Sequence, residues 1–197
     1  MHPKQLADMI SSRICHDLIS PVGAISNGVE LMSELNGPSP EMELIRQSAE
    51  NAQAKLMFFR VAFGASSVDA MIGHAAAASV AQKMFSNGRV SVHFPTPWGD
   101  RSRSLVKLLY LLLLCVESSL PRGGTITCIP TDSGWNITVE KAKITPQAEL
   151  WDALLKGDPF GNLASQEIQF QLARDAAETI DITLSAKFPP SGLELTF

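Results

Sequence analysis

One short stretch of the chain carries the residues best suited to chemistry. Residues 13–21 read Arg-Ile-Cys-His-Asp-Leu-Ile-Ser-Pro, which places His16 directly before Asp17. A neutral imidazole is a competent nucleophile toward an activated phosphoryl group, and an unperturbed imidazole keeps a large neutral fraction near pH 7. Asp17 is the neighbour that could accept the imidazole N–H or hold the orientation of the ring. The pair therefore predicts a group-transfer site with His16 as the nucleophile.

The helical pattern around this stretch predicts that His16 faces solvent. Apolar residues follow it at spacings of four, three, four and three, which forms one stripe along a helix: Leu18, Val22, Ile25, Val29 and Met32. At about 100° per residue, His16 lies about 160° from the middle of that stripe. The residues within about 40° of His16 are small and polar: Ser12, Ser20, Gly23 and Asn27. A partner could dock on this surface.

Two further residues bear on the same site. Pro21 removes the backbone donor to the carbonyl of Asp17, so the helix is expected to bend one turn after His16. Counting equal rise along two antiparallel helices from the turn near Pro38 places Arg60 at the level of His16.

Alternative interpretations stay open for each of these residues. His16 could be an ordinary surface histidine and Pro21 an ordinary kink, because one His-Asp pair is a weak signal. Arg60 could contact a phosphate or a partner protein, or form an ion pair with Asp17 or another acid. Arg13, one turn before His16, could likewise contact a phosphate or partner protein, or form an ion pair with an acid.

Other kinds of chemistry find little support in the sequence. His2, His74 and His93 lie in unrelated contexts without the spacing of metal ligands, so no metal site is predicted. Ser20 has no evident triad partners, and no Gly-x-Ser-x-Gly turn occurs.

Composition excludes several classes of protein. The net charge of the 197-residue chain is -4, which disfavours nucleic acid and anionic membrane surfaces as partners. The longest apolar run, residues 108–116, falls well short of the ~20 residues of a membrane span, and residues 1–5 lack a signal-peptide pattern. Three cysteines form no disulfide framework, which fits a reducing cytoplasm.

The elements that must position His16 form a helical hairpin. Residues 3–63 read as two long helices separated by Asn-Gly-Pro-Ser-Pro at 36–40, with Ser39 as N-cap and Pro40 at the first position of the second helix. The second helix has its own apolar series: Ile45, Ala49, Ala52, Leu56, Phe59 and Phe63. A lone hairpin cannot cover two apolar faces, so we expect a homodimer with a four-helix bundle. The alternative is packing against the second half of the chain.

The remainder of the chain is predicted to be a separate α/β domain, with residues 1–66 as the hairpin and 67–197 as the second domain. Helices are expected near 69–85, 100–119 (capped by Asp100), 147–155 and 165–179. Strands are expected near 89–94, 125–129, 135–139, 182–188 and 193–197. This order indicates an α/β two-layer sandwich, and hence an α+β chain overall.

Longer strings of sequence resemble a known family. Residues 16–21 resemble the phosphoacceptor box of sensor histidine kinases. The wider segment 15–31, Cys-His-Asp-Leu-Ile-Ser-Pro-Val-Gly-Ala-Ile-Ser-Asn-Gly-Val-Glu-Leu, together with Phe-Phe-Arg-Val-Ala-Phe-Gly at 58–64, resembles the ChpT-type histidine phosphotransferases of alphaproteobacteria. The resemblance extends over essentially the whole chain and is strongest over the hairpin.

The resemblance implies a homodimer and a degenerate ATP-binding domain like that of a histidine kinase. A working kinase domain has a magnesium-binding asparagine on the helix at 108–119, but that segment contains none, and Leu114 occupies the aligned position. Glu-Lys-Ala-Lys at 140–143 replaces an Asp-x-Gly-x-Gly pattern, and Gly-Asn-Leu-Ala at 161–164 is no nucleotide lid. We therefore expect no intrinsic cofactor and no autophosphorylation from ATP.

The resemblance also implies a role in a two-component phosphorelay that controls the cell cycle. His16 would receive a phosphoryl group from an aspartyl phosphate of a hybrid kinase's receiver domain and pass it to receiver domains of response regulators, with Mg²⁺ bound by the partner. Asp17 would tune His16, and the docking surface would comprise Ser12, Arg13, Ser20, Pro21, Asn27 and Arg60. A noncatalytic receiver-binding adaptor is the second hypothesis, and an ATP-dependent histidine kinase is the third.

Overall fold

The computed structural model describes residues 3–37, 39–65 and 70–197. The chain divides into two compact units, Met1–Ala65 and Ser66–Phe197. This division falls one residue before the predicted boundary. The first unit is helical and the second combines helices with a sheet, so the chain is an α+β protein.

The first unit is the predicted helical hairpin. Helix α1 spans Pro3–Asn36 and helix α2 spans Pro40–Ala62. Gly37 follows α1 with φ of 80°, the left-handed conformation that ends many helices. Ser39 is the N-cap of α2, as predicted, and its hydroxyl accepts a hydrogen bond from the Met42 N–H at 3.2 Å. The central residue of this turn, Pro38, lies outside the described residues.

The residues of the apolar stripe of α1 differ in how far they are buried. Val29 is buried and Val22 is half-buried, whereas Leu18, Ile25 and Met32 are 45–54% exposed within the chain. Ile14 lies on the same line and is 53% exposed. One helix of a hairpin covers only part of a stripe this wide, because the two helices touch along a single line. An apolar strip along α1 is therefore left uncovered.

The second unit is the predicted two-layer arrangement. One five-stranded sheet has the order β2-β4-β5-β7-β6; β2 pairs with β4 in parallel, and the other neighbours are antiparallel. A separate pair joins β1 to β3. The strands are β1 Met71–Ile72, β2 Val90–His93, β3 Arg101–Ser102, β4 Gly124–Pro130, β5 Trp135–Glu140, β6 Ser185–Lys187 and β7 Gly192–Thr196. The helices are α3 His74–Phe85, α4 Arg103–Ser118, α5 Ala148–Lys156 and α6 Ile168–Thr179, the last preceded by a 3₁₀ turn at Ser165–Glu167.

The core of this unit lies between the helices and one face of the sheet. Eleven of the sixteen residues of α4 are buried, as its leucine-rich sequence predicts. The central strands alternate: Ile126 and Ile137 are buried, whereas Thr125 on the opposite face is exposed. Alternation of this kind is typical of a sheet with one solvated face.

Three sequence-based element boundaries are wrong. Helix α3 begins at His74, not near 69, because Met71–Ile72 pairs with β3 and Gly73 precedes the helix; Asp69 itself lies outside the described residues. Asp100 does not cap α4, since the chain first forms β3, and the Ser102 hydroxyl accepts from the Leu105 N–H at 3.3 Å. The strand expected at 182–188 is confined to Ser185–Lys187, the stretch that pairs with β7.

Candidate functional site

His16 lies in the middle of α1 and projects into solvent. Its side chain is 83% exposed, which confirms the orientation predicted from the helical period. Cys15, the preceding residue, is buried, and its thiol is free. Because successive residues on a helix point about 100° apart, burial of Cys15 directs the next side chain away from the hairpin's interior.

Asp17 joins His16 to Arg13. Its Oδ1 lies 3.1 Å from His16 Nδ1, and its Oδ2 accepts from Arg13 Nε at 2.6 Å. The hydrogen bonds with His16 and Arg13 hold the pKa of the Asp17 carboxyl below its ordinary value. An ionised carboxylate can only accept hydrogen bonds, so we infer that neutral His16 carries its proton on Nδ1. The lone pair of Nε2 is then available to an electrophile in solvent.

Arg60 lies at the level of α1 that the count from the turn predicts. Burial raises the pKa of the Cys15 thiol, and the positive charge of Arg60 partly opposes that shift. A side chain at Gly64 would meet both the Arg60 carbonyl and the Ser12 hydroxyl, so the backbone of Arg60 lies beside the part of α1 one turn before His16. The side chain that pairs with Asp17 is Arg13, at i−4 on the same helix.

Ser12 has a local role that the sequence pattern did not predict. Its hydroxyl accepts from the backbone N–H of Ala65 at 2.9 Å. A side chain on Gly64 would collide with the carbonyl of Arg60 and would lie 3.0 Å from Ser12 Oγ. Gly64 therefore allows the end of the hairpin to approach Ser12, and the only sequence signal for this contact was the glycine two residues after α2.

The other predicted docking residues lie along α1 near His16. Ser20, Pro21 and Asn27 are all exposed. Pro21 lies inside α1, and the helix continues past it to Asn36. The bend expected at Pro21 stays a prediction. Gly23 is half-buried, and an added Cβ would lie 3.9 Å from Gln53 Nε2 on α2.

A groove in the second unit is lined by α5 and by the loop that follows it. Its volume is about 920 Å³. Four of the residues that line it carry a carboxylate: Glu149, Asp152, Asp158 and Glu167. Part of this negative charge is balanced within the protein, because Lys156 Nζ lies 2.8 Å from Asp152 Oδ1. Among residues 3–37, 39–65 and 70–197, no group of three or more His, Cys, Asp or Glu side chains is placed to hold a metal ion.

None of the helices in the described part of the chain combines the length and the apolar character that crossing a membrane requires.

The first unit presents an exposed imidazole whose Nδ1 contacts a carboxylate, an arrangement that is chemically able to support group transfer through histidine. Comparison with known proteins identifies the family. The family model described as "Histidine phosphotransferase C-terminal domain" matches residues 74–191. The chain therefore belongs to the histidine phosphotransferase family and is a protein phosphotransferase of a phosphorelay.

Two phosphotransferases agree with this assignment. Protein phosphotransferase ChpT of Brucella abortus (strain 2308) is 40% identical over 140 residues, which cover 68% of this chain and 67% of that protein. A bacterial phosphotransferase of known 1.7 Å structure is 30% identical, with a TM-score of 0.72 over 99% of this chain and 96% of the other. The histidine kinase domain of the blue-light-activated kinase EL346 from Erythrobacter litoralis is 14% identical, with a TM-score of 0.48.

Proposed function

We propose that His16 is the residue that carries the phosphoryl group. The observation that carries this proposal is the solvent-exposed imidazole whose Nδ1 is held by Asp17, because that contact leaves Nε2 as a nucleophile. The match to the family model begins at residue 74 and does not include the hairpin, so the choice of His16 rests on the geometry of α1.

The transfer would proceed between His16 and aspartates of receiver domains. The lone pair of Nε2 forms a P–N bond with the phosphorus of an aspartyl phosphate while the P–O bond to the receiver's carboxylate breaks. The bonding electrons leave with that carboxylate, and the proton on Nδ1 stays on the ring, shared with Asp17. The second transfer is the reverse of this step with another receiver's carboxylate as the acceptor.

Phosphotransfer depends mainly on the position of the nucleophile and needs few further catalytic groups on this protein. A phosphoryl group transfers once the nucleophile is in line and the negative charge of the phosphoryl group is neutralised. The Mg²⁺ bound by the receiver would neutralise that charge. The docking surface would be the polar side of α1, formed by His16 with Ser20, Pro21 and Asn27, and bounded by Ser12 and Arg60. Its small side chains would let a receiver approach Nε2 closely.

The uncovered apolar strip of α1 supports a homodimer. Ile14, Leu18, Ile25 and Met32 are each about half exposed, and they lie on the side of α1 away from His16. Ile45 of α2 is also 48% exposed. Two hairpins that cover these residues would form a four-helix bundle and leave both histidines accessible.

The remaining parts of the proposal follow from the resemblance and from the second unit. The absence of an asparagine from residues 108–119 and of a glycine-rich pattern at 140–143 supports a chain that draws phosphoryl groups from receivers and not from ATP. The free thiols of Cys15, Cys115 and Cys128 fit a cytoplasmic location. A hybrid kinase as donor and cell-cycle response regulators as acceptors are the partners that the resemblance implies.

The test follows a radiolabelled phosphoryl group. The full-length protein, His16→Ala and the control His93→Ala are each incubated with a phosphorylated receiver domain, and an unlabelled second receiver is then added. His93 is an exposed histidine of β2 and matches the chemistry of His16 without belonging to the hairpin. We expect acid-labile, base-stable label on the wild type and His93→Ala, followed by its transfer to the second receiver.

Two results would contradict the proposal. Label on His16→Ala at the wild-type level would show that another residue carries the phosphoryl group. A receiver that binds the wild type but never labels it, across several receiver pairs, would favour the noncatalytic adaptor.

A further inference from the structure

We propose that Arg13 is a positioning residue for phosphotransfer that acts on His16 through Asp17, and is not primarily a contact for the partner. This inference rests on the proposed role of His16. It decides between the two roles that the sequence leaves open for Arg13, docking or structure. The observation behind it is the continuous contact from Arg13 Nε to Asp17 to His16 Nδ1.

The geometry of α1 brings these three residues together. At about 100° per residue, Arg13 lies about 60° from His16 and about 40° from Asp17, one turn earlier on the helix. Residues four apart on a helix are neighbours, so Arg13 can reach Asp17 along the helix surface. By contrast, His16 and Asp17 are consecutive residues that point about 100° apart. The Asp17 side chain must therefore lean toward His16 for its Oδ1 to contact Nδ1.

The two oxygens of Asp17 have separate partners. Oδ2 faces Arg13 at 2.6 Å, and Oδ1 faces His16 at 3.1 Å. Asp17 is about half exposed, so water competes for the carboxylate and other rotamers are open to it. Arg13 holds Oδ2, the oxygen that does not face His16, and this contact limits the rotamers of Asp17 to those that keep Oδ1 against Nδ1.

The orientation of Asp17 matters because it selects the tautomer of His16. With Oδ1 in place, the neutral ring keeps its proton on Nδ1, and Nε2 has the free lone pair. When the carboxylate moves away, the neutral ring divides between two tautomers, and the one protonated on Nε2 has no lone pair on that atom with which to attack phosphorus. The same carboxylate faces the positive charge that develops on the ring as the P–N bond forms.

If Arg13 has this role, its replacement should lower the rate of transfer and leave the affinity for receivers nearly unchanged. Arg13→Ala should lower the rate of transfer at saturating phospho-receiver about tenfold, because fewer molecules hold the reactive tautomer. The dissociation constant for the unphosphorylated receiver should stay within about twofold of the wild-type value. Arg13→Lys should recover most of the rate, since an ammonium at the same position can still pair with Asp17.

The experiment uses the full-length protein with Arg13→Ala, Arg13→Lys and the control Arg46→Ala. Arg46 on α2 is a matched control, because it also forms exposed ion pairs within one helix, with Glu43 and Glu50. Single-turnover transfer from a receiver that labels the wild type gives the rate, and titration gives the affinity. Nitrogen-15 NMR of the imidazole gives the tautomer of His16, which a purely structural ion pair would not change. We expect protonated Nδ1 in the wild type and Arg46→Ala, and a mixture of tautomers in Arg13→Ala.

The outcomes distinguish this inference from the proposed function. Arg13→Ala with wild-type rate and tautomer would overturn the inference while label on His16 still supports phosphotransfer. Weakened receiver affinity with an unchanged saturating rate would assign Arg13 to docking and would also overturn it. Label on His16→Ala would instead refute the proposed function.

Discussion

The hydroxyl of Ser12 accepts a hydrogen bond from the backbone N–H of Ala65, 53 positions further along the chain. Ser12 lies on α1, one turn before His16, and Ala65 is the third residue after α2 ends. The absence of a side chain at Gly64 makes this approach possible. The segment that follows α2 is therefore hydrogen-bonded to α1 next to the candidate site.

Ser12→Ala should weaken this attachment. Removal of the acceptor leaves the Ala65 N–H without this partner, so we expect the free energy of unfolding to fall by about 1 kcal/mol. Thermal unfolding followed by circular dichroism measures the change. Ser48→Ala is the control, because the Ser48 hydroxyl donates to the Leu44 carbonyl within its own exposed helix turn. Equal melting temperatures for the two variants would contradict the role given to Ser12.

Asp17→Asn should slow phosphotransfer strongly. An amide can donate as well as accept, so it no longer dictates a protonated Nδ1, and it lacks the negative charge that stabilises the ring during transfer. We expect the single-turnover rate to fall at least about a hundredfold while helicity is retained. A variant that transfers at the wild-type rate would show that the His16–Asp17 contact has no part in the reaction.

A charge on the uncovered strip of α1 should prevent homodimer formation. Ile25→Asp would bury a carboxylate in the core of the expected bundle, which costs far more than association can offset. Light scattering after size exclusion should show a dimer for the wild type and a monomer for Ile25→Asp. Ala24→Asp, at the adjacent exposed position, points about 100° away and should remain dimeric. A wild-type protein that is monomeric at micromolar concentration would refute the four-helix bundle.

Glu43 gives the hairpin a defined dependence on pH. Hydrogen bonds from Arg46 and Gln47 lower the pKa of Glu43 from 4.5 to about 2. A carboxyl whose pKa is lower in the folded state stabilises the fold above the unfolded value, and this contribution disappears as the pH falls through the folded value. The difference in unfolding free energy between wild type and Glu43→Gln should be constant above pH 5 and should shrink between pH 4.5 and 2. A difference that grows on acidification would contradict this assignment.

Nucleotide should leave the stability of the protein unchanged. A ligand present at 100 times its dissociation constant stabilises a folded protein by about 2.7 kcal/mol, which is several degrees in melting temperature. We expect millimolar Mg-ATP to shift the melting temperature by less than about 1 °C, in keeping with Leu114 at the position of the magnesium-binding asparagine. A clear rise would revive the ATP-dependent kinase hypothesis.

The sequence by itself determined the direction of His16 and the main elements. Helical period places His16 opposite the apolar residues Leu18 and Ile25, and the structure agrees, because rotation per residue is a property of the helix itself. The cap at Ser39 is equally local, since its hydroxyl bonds three residues ahead.

Only the tertiary structure decided which neighbour each residue meets. Period alone cannot tell that Val29 is buried while Ile25 is left open, since both belong to one stripe. The sequence pattern allowed either Arg13 or Arg60 to pair with Asp17. In the structure, the residue that pairs with Asp17 along α1 is Arg13. The sequence pattern placed Ser12 among the docking residues, but its hydroxyl accepts a hydrogen bond from Ala65, just after the end of α2. Sequence periodicity specifies direction around an axis, whereas the partner that occupies that direction depends on how distant segments pack.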